Sequence, residues 1–405
     1  MVGKVIMDNR ETQSSKNRRS RPSQNPRRNA GRRRRARKKT ALRMVVLLLL
    51  LLAAIVLVIC ARHYKSEKEA ELKAQQEAEQ RAKEEEAFPI TLRFAGDINF
   101  DDDYFPMQHF QEIGAESISE VIDPEYVELM NKADVMWVNN EFCYTDSGEP
   151  LAGKAFTFSA NPENVIYLKE LGVDVAVLEN HHVFDYGEQG LLDTLATLEA
   201  AKIPYVGAGH DIKEAASPVY VKAGPLTIAY VAAERAEKVQ IVTQEATEDQ
   251  PGVLRCYEND RFIESNREAA GKADYVIALP HWGTEHATEL EDVQKDGARA
   301  YIDAGADAVI GAHPHILQGI EYYNGKPIVY SLGNFWFDNY ELYTMVAELR
   351  LSKDESVELI LYPGIQRNME THPAADEERD EIFRHLEDIS PQEIQIDEQG
   401  VVSGS

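Results

Sequence analysis

The stretch YVIALPHWG, Tyr275–Gly283, is followed by a helical pattern over Glu291–Ala304 and then by AVIGAHPH, Ala308–His315. Each apolar run is short enough for a buried strand, and each is followed at once by a histidine segment, His281-Trp282-Gly283 or His313-Pro314-His315. Short apolar runs alternating with amphipathic helical stretches are the signature of an α/β domain. In open sheets of that class ligands bind beyond the carboxyl ends of the strands, so these histidines stand where chemistry is done.

The same pattern extends in both directions. Strands are expected over Ile90–Ala95, Val135–Asn139, Val173–Leu178, Val219–Val221, Leu226–Ala232 and Ile328–Ser331, with helices over Pro162–Leu171, Gly187–Ala201 and Arg261–Gly271. The break Ala223-Gly224-Pro225 between two strands reads as a hairpin, which makes the sheet mixed. Met345–Leu351 and Val357–Leu361 supply a last strand pair, and the domain is bounded at residues 88–370. Residues 371–405 are acidic and read as a mostly loose tail with one helix around Ile382–Leu386.

Three more strand ends carry metal-type side chains: Gly96-Asp97, Asn140-Glu141 and Asn180-His181-His182. Alone, each has a plainer reading: Asp97 as a turn or cap, Glu141 as a solvated rim carboxylate, His281 as a core histidine. Five such segments after five strands point to one site. The pair His313 and His315 adds to this, because alternate residues on an extended segment face the same way. Neutral imidazole and carboxylate oxygen together suit Zn, Mn or Fe, so one or two such divalent ions are the expected cofactor. Gly207-Ala208-Gly209 lacks the third glycine of a dinucleotide loop, and Ser331 has no Gly-x-Ser-x-Gly around it.

Ahead of the domain the composition changes sharply. Residues 1–43 hold 16 Lys and Arg against Asp8 and Glu11, a net of +14, so the chain total of −26 puts −40 on everything after Arg43. This basic arm has almost no large apolar residues and is expected to be disordered. Met44–Ala61 then gives 18 uncharged residues, a helix of roughly 27 Å against a hydrocarbon core about 30 Å thick. The segment reads as an uncleaved anchor rather than a signal peptide, since it follows a long arm and no small-residue cleavage site. Beside an anchor, basic residues hold the near side in the cytoplasm and attract anionic lipid; the arm is read as a topology signal and not as a nucleic-acid binder. Residues 62–87 form a charged helical stalk in which Leu72 is the only large aliphatic, too little for a coiled-coil seam. The expected location is the cell membrane, single-pass, with the main domain outside. Cys143 and Cys256 alone lie beyond the anchor, so no disulfide framework supports the domain; one bridge remains open, two isolated thiols are expected.

The segments NHHVFDYG (Asn180–Gly187), His281-Trp282-Gly283-Thr284-Glu285, GAHPHI (Gly311–Ile316) and SLGNF (Ser331–Phe335) resemble the CapA family, associated with poly-γ-glutamate capsule synthesis and itself similar to calcineurin-like metallophosphatases. The resemblance covers about residues 90–340. It implies a four-layer α/β/β/α sandwich with a metal centre at one edge of two sheets. It implies further that Asp97 is the first ligand, Glu141 a bridging carboxylate, and His281, His313 and His315 further ligands. The family pattern reads Asn-Asn-His before two variable residues and Asp-Tyr-Gly, which puts His182 on the family histidine and His181 where an Asn is usual. His182 is then the acid or base near the substrate, and His181 an imidazole in place of an amide. One position would hold Asp97, Glu141 and His315 with Asn99 as a weak amide donor; the other would hold Glu141, His281, His313 and His181. Asp185 is expected to cap the Gly187 helix, and Asn180, Glu285 and Asn334 to support the ligands.

These residues imply metal-assisted hydrolysis or acyl transfer; the family resemblance implies a surface polymer such as poly-γ-glutamate as the substrate, with membrane-embedded polymer-synthesis proteins as partners. The alternative is a non-catalytic assembly scaffold of the same fold. The −40 charge beyond the anchor opposes unaided binding of a polyanion, since like charges repel.

The membrane orientation is open to a direct test. Protease added to intact cells is expected to release a fragment beginning near the stalk, residues 62–87; digestion of the arm before Met44 with the domain protected would reverse the topology.

Overall fold

The computed structural model describes residues 26–236, 243–353 and 356–404. Two compact units divide the chain, Met1–Gln80 and Arg81–Ser405. The described part of the first is continuous helix, belonging to the helix Pro26–Glu86. Its stretch Gly31–Gln80 is long and apolar enough to cross a membrane, and its leucines from Leu47 to Leu52 are exposed. The basic arm therefore differs from expectation between residues 26 and 43, which are helical. Arg, Lys and Ala are strong helix formers, and an apolar helix directly downstream has already met the nucleation cost. The arm's first 25 residues lie outside the described residues.

The second unit is mixed α/β. One ten-stranded sheet runs in the order Gln395–Ile396, Val401–Ser403, Val357–Arg367, Leu342–Leu351, Ile90–Ile98, Val135–Asn140, Val175–Val177, Tyr205–Val206, with Asn334–Trp336 and Glu370–Pro373 paired off that path. A six-stranded sheet runs Ile320–Tyr323, Lys326–Val329, Ala308–Ile310, Tyr275–His281, Leu226–Glu234, Val219–Ala223. Ile90–Ile98, Val135–Asn140 and Val175–Val177 are mutually parallel, as are Tyr275–His281 and Ala308–Ile310. The expected hairpin is present, Val219–Ala223 running antiparallel to Leu226–Glu234.

Strand alternation sends neighbouring residues to opposite faces, and the cores record it. Phe94, Trp137 and Val175 of the larger sheet join Tyr230, Ile277 and Ile310 of the smaller in one apolar cluster. Their neighbours Ala95, Met136 and Ala176 pack instead with Phe110, Leu191, Leu195 and Leu198. On the smaller sheet Val231, Ala278 and Val309 pack with Phe262, Ala298 and Tyr301. The helices Gly187–Ala201, Asp260–Ala270 and Asp292–Asp303 lie where the periodicity predicts them. Phe105–Glu112 and Pro124–Asn131 are helices that the sequence reading passed over.

The acidic tail is not loose. Asp376–Asp388 is a helix that buries Ile382, Phe383 and Leu386, and Val401–Ser403 pairs with Val357–Arg367. Strands of two or three residues are too short to show a period, which is why this edge of the sheet is invisible in the sequence. Cys143 and Cys256 are both free and buried.

One approach of main chains fixes the corner where the site lies. A Cβ on Gly96 would come within 1.8 Å of the Gly333 carbonyl oxygen, so only glycine allows Asp97 N–H to donate to that carbonyl at 3.1 Å. The same strand is held from the side by a buried ion pair. Arg93 donates to Glu348 Oε2 at 2.8 Å and to the Leu129 carbonyl, while Arg350 and Tyr362 also donate to the Glu348 carboxylate. Removing one partner of such a pair leaves an uncompensated buried charge, which costs about 3–5 kcal/mol. Glu348→Ala is expected to lower stability by about that amount, read by urea unfolding from the fluorescence of Trp137, Trp282 and Trp336, all fully buried in this unit.

Candidate metal centre

Each donor sits at or just past the carboxyl end of a strand. Asp97 is near the end of Ile90–Ile98, Glu141 follows Val135–Asn140, and His181 and His182 follow Val175–Val177. His281 ends the strand Tyr275–His281, while His313 and His315 follow Ala308–Ile310. His281 bridges to Ala312, so the smaller sheet presents its histidines side by side. Asp97 pairs with both Asn139 and Asn334 in the larger.

Two groups of donors result, and Glu141 belongs to both. Glu141, His181, His281 and His313 have ligand atoms within 4.8 Å of one another, as do Asp97, Glu141 and His315. All six residues are buried. Glu141 Oε1 lies 3.6 Å from His281 Nε2, 3.7 Å from His181 Nδ1 and 3.9 Å from His315 Nε2. These distances are too long for hydrogen bonds, and that oxygen has no hydrogen-bond partner. Neighbouring ligands at about 2.1 Å from a tetrahedral ion are roughly 3.4 Å apart, which is the kind of spacing found here. Oxygen and imidazole donors in this set fit a divalent cation.

Burial pushes the Glu141 carboxyl well above its ordinary pKa, and the charge of Asp97 adds to the rise. Burial also pushes His181 and His281 well below the ordinary histidine value, with the neighbouring imidazoles lowering them further. Both are thereby kept in the neutral form that ligates metal. Burial would lower His315 too, but its hydrogen bond to Asp97 and that residue's charge outweigh burial and raise it.

The HPH segment departs from its expected form. His313 and His315 have φ of 100° and 60°, so the segment is not extended and the rings do not face the same way by alternation. They are 5.9 Å apart and divide between the two donor groups. Left-handed backbone on a non-glycine residue costs about 1–3 kcal/mol and persists where the surroundings enforce it.

Around the donors lies a hydrogen-bonded frame. His315 Nδ1 meets Asn334 Oδ1 at 2.8 Å and Asp97 Oδ2 at 3.0 Å, leaving Nε2 toward Glu141. Asn180 donates to Asn139 Oδ1 and to the Asn140 carbonyl, and its own oxygen accepts from the main-chain N–H of His182 and Val183. Asp185 is not a helix cap: the residue at that place is Tyr186, with no side-chain cap bond. Both Asp185 oxygens are committed elsewhere, to Lys154 Nζ at 2.6 Å, Phe158 N–H at 2.7 Å and His182 Nδ1 at 2.6 Å. Burial lowers the pKa of His182, with the Asp185 charge opposing it. The Asn99 oxygen accepts from the Asp101 N–H at 2.8 Å. Glu285 is exposed and shares a third donor group with His313 and His315.

Two residues of this frame escaped the sequence reading. The Asn139 amide donates to Asp97 Oδ1 at 2.6 Å and to Glu141 Oε2 at 2.8 Å. Its signal was available, since Asn139 is two residues before Glu141 and so shares its face. Lys154 also donates to the His181 carbonyl; it lies in an irregular loop with no periodicity to mark it.

The sequence matches the family described as bacterial capsule synthesis protein PGA_cap over residues 91–339, a span that contains every residue of the centre. It is 36% identical over 251 residues to the PGA biosynthesis protein CapA of Bacillus subtilis (strain 168), covering 62% of this chain and 63% of that protein. It is 36% identical over 190 residues to the capsule biosynthesis protein CapA of Bacillus anthracis, covering 46% of each. A probable polyglutamine synthesis accessory protein of Mycobacterium tuberculosis is 35% identical over 217 residues, 51% of this chain and 56% of that one. The chain thus spans between about half and 63% of the length of these relatives.

Ions held by these two groups would differ in affinity, because one group offers four donors with three imidazoles and the other three donors with one. Dialysis of the metal-loaded protein against a mild chelator is expected to leave a single ion per chain, measured by elemental analysis. His181→Ala should weaken that retained ion by about tenfold or more. Two ions of equal affinity, or a His181→Ala protein with the parent's metal content, would show that the donors are grouped differently.

Proposed function

The chain belongs to the family of bacterial capsule synthesis proteins described as PGA_cap, and from that premise we propose that it is a membrane-anchored component of capsule or poly-γ-glutamate synthesis acting through a divalent metal centre. The curated relatives are named for PGA biosynthesis and capsule biosynthesis, and the substrate class is taken from them. Residues 1–43 would be the cytoplasmic arm, 44–61 the anchor and 62–87 the stalk, with the domain from residue 88 outside. The three apolar clusters support a four-layer α/β/β/α, metallophosphatase-like arrangement of that domain. Membrane-embedded polymer-synthesis proteins are its proposed partners.

The metal reading is carried by Glu141 Oε1, a buried carboxylate oxygen without a hydrogen bond amid three imidazoles. Such a group is costly in a protein interior unless a cation satisfies it. Asp97, Glu141, His181, His281, His313 and His315 would hold one or two ions of Zn, Mn or Fe, and Asn180 and Asn334 would brace them. When bound, such an ion polarises a substrate oxygen and acidifies water. Lys154 and Phe158 N–H fix Asp185. Asp185 in turn accepts from His182 Nδ1, so His182 Nε2 is left as the nitrogen that takes or gives a proton. Phe158 packs 4.4 Å from the His182 ring and Phe337 4.9 Å from the His315 ring, which limits water on that flank. The reaction class that fits is hydrolysis or acyl transfer.

The test is turnover by the whole detergent-solubilised chain, loaded with Mn or Zn, on phosphodiesters and γ-glutamyl peptides. His182→Ala is expected to lower kcat about 10²–10⁴-fold with metal content unchanged, the usual worth of a general acid or base. A metal-loaded parent that turns over none of these and supports polymer synthesis equally well as His182→Ala would establish the scaffold role instead.

A further inference from the structure

Glu285 stands apart from the other acidic residues near the centre. It is exposed, forms no hydrogen bond or ion pair with the described residues, and yet has a carboxylate oxygen within 4.8 Å of ligand nitrogens of both His313 and His315. Those two histidines belong to different donor groups, so this one carboxylate reaches toward both positions. Its loop is tied to theirs: Gly283 and His286, on either side, have φ of 95° and 58°, and the His286 N–H donates to the Pro314 carbonyl at 2.9 Å. The ligand nitrogens it approaches are buried, while its own side chain is open to solvent.

We propose that Glu285 is an exchangeable ligand that closes the solvent face of the metal centre and is displaced by an anionic substrate group. The proposal rests on the metal reading above. The chemistry follows from the donor count. The position with Asp97, Glu141 and His315 has three protein donors, fewer than Zn, Mn or Fe normally takes. A carboxylate from the open side completes it. Because Glu285 has no hydrogen-bond or ion-pair partner among the described residues to hold it, it yields to a competing oxygen anion, such as a phosphate or a carboxylate, that brings its own negative charge and takes the same place. Glu285 thereby selects for substrates that can ligate and against anions that merely approach.

The experiment compares the parent chain in detergent with Glu285→Gln and Glu285→Asp. Each is stripped of metal and titrated with Mn by calorimetry, then with inorganic phosphate as the anionic probe. Gln removes the charged donor, and Asp keeps the charge but shortens the reach by one methylene. A ligand predicts that both variants bind the weaker Mn about tenfold or more loosely, and that phosphate binds the Mn-loaded variants more tightly than the parent. Parent-like Mn binding by Glu285→Asp would show that only charge matters there, and unchanged or weaker phosphate binding by both variants would show that Glu285 does not compete with anions; either result overturns the proposal. A parent that binds no Mn, and no Zn or Fe in the same titration, would overturn the metal reading, and this inference with it.

Discussion

Asp97 and Glu141 are two buried carboxylates joined by a single amide, and the rest of the centre is organised by the need to keep them together. Asn139 donates to both, at 2.6 Å and 2.8 Å, and its own oxygen is fixed by Asn180. Two carboxylates so close cannot both ionise cheaply in a protein interior: burial pushes Glu141 well above its ordinary value, and the Asp97 charge adds to the rise. A proton or a cation must settle the difference. Of the buried imidazoles at ligand positions around them, His181 and His281 are held neutral by burial, so these two offer lone pairs rather than charge.

That arrangement needs strands of both sheets to end at one corner. Parallel pairing within each sheet aligns their carboxyl ends, and the shared apolar cluster between the sheets holds the two sets of ends close. The tightest contact is Gly96 against Gly333, which brings Asp97 up to Asn334 and through it to His315. The backbone strain at His313 and His315 is sustained by the same frame. An unstrained extended segment would place both rings on one side and serve only one of the two donor groups.

Much of this corner was legible because short apolar runs end abruptly on residues that do not belong in a core. His281, His313 and Glu141 announce themselves by following Val, Ile, Leu and Ala. What was not legible depends on contacts distant in sequence. Lys154 carries no local pattern, and its role exists only because the loop before Phe158 folds back on Asp185. Asp185 looked like a helix cap from its place before Gly187, but three partners outside the helix claim its oxygens. The acidic tail looked mostly loose by composition, yet three apolar residues of its one helix, Ile382, Phe383 and Leu386, are buried. Composition averages over a segment, whereas docking depends on a few positions within it.

The charge balance close to the centre explains why a cation is the natural remedy. Lys154 is a buried ammonium near the donors, and it is committed to Asp185 at 2.6 Å and to the His181 carbonyl. Its charge lowers the Glu141 carboxyl, but burial and the Asp97 charge outweigh it. Arg255, the next buried cation on this side, is paired with Glu234 at 3.1 Å. Neither is available to neutralise Asp97 and Glu141 or to receive an anionic polymer, and the chain beyond Arg43 carries −40 overall. A polyanion would therefore meet repulsion at long range, with Lys154 and Arg255 already committed to Asp185 and Glu234. A divalent ion held by the proposed centre would supply positive charge at that point, satisfying the Glu141 oxygen and drawing an anionic group to the same place.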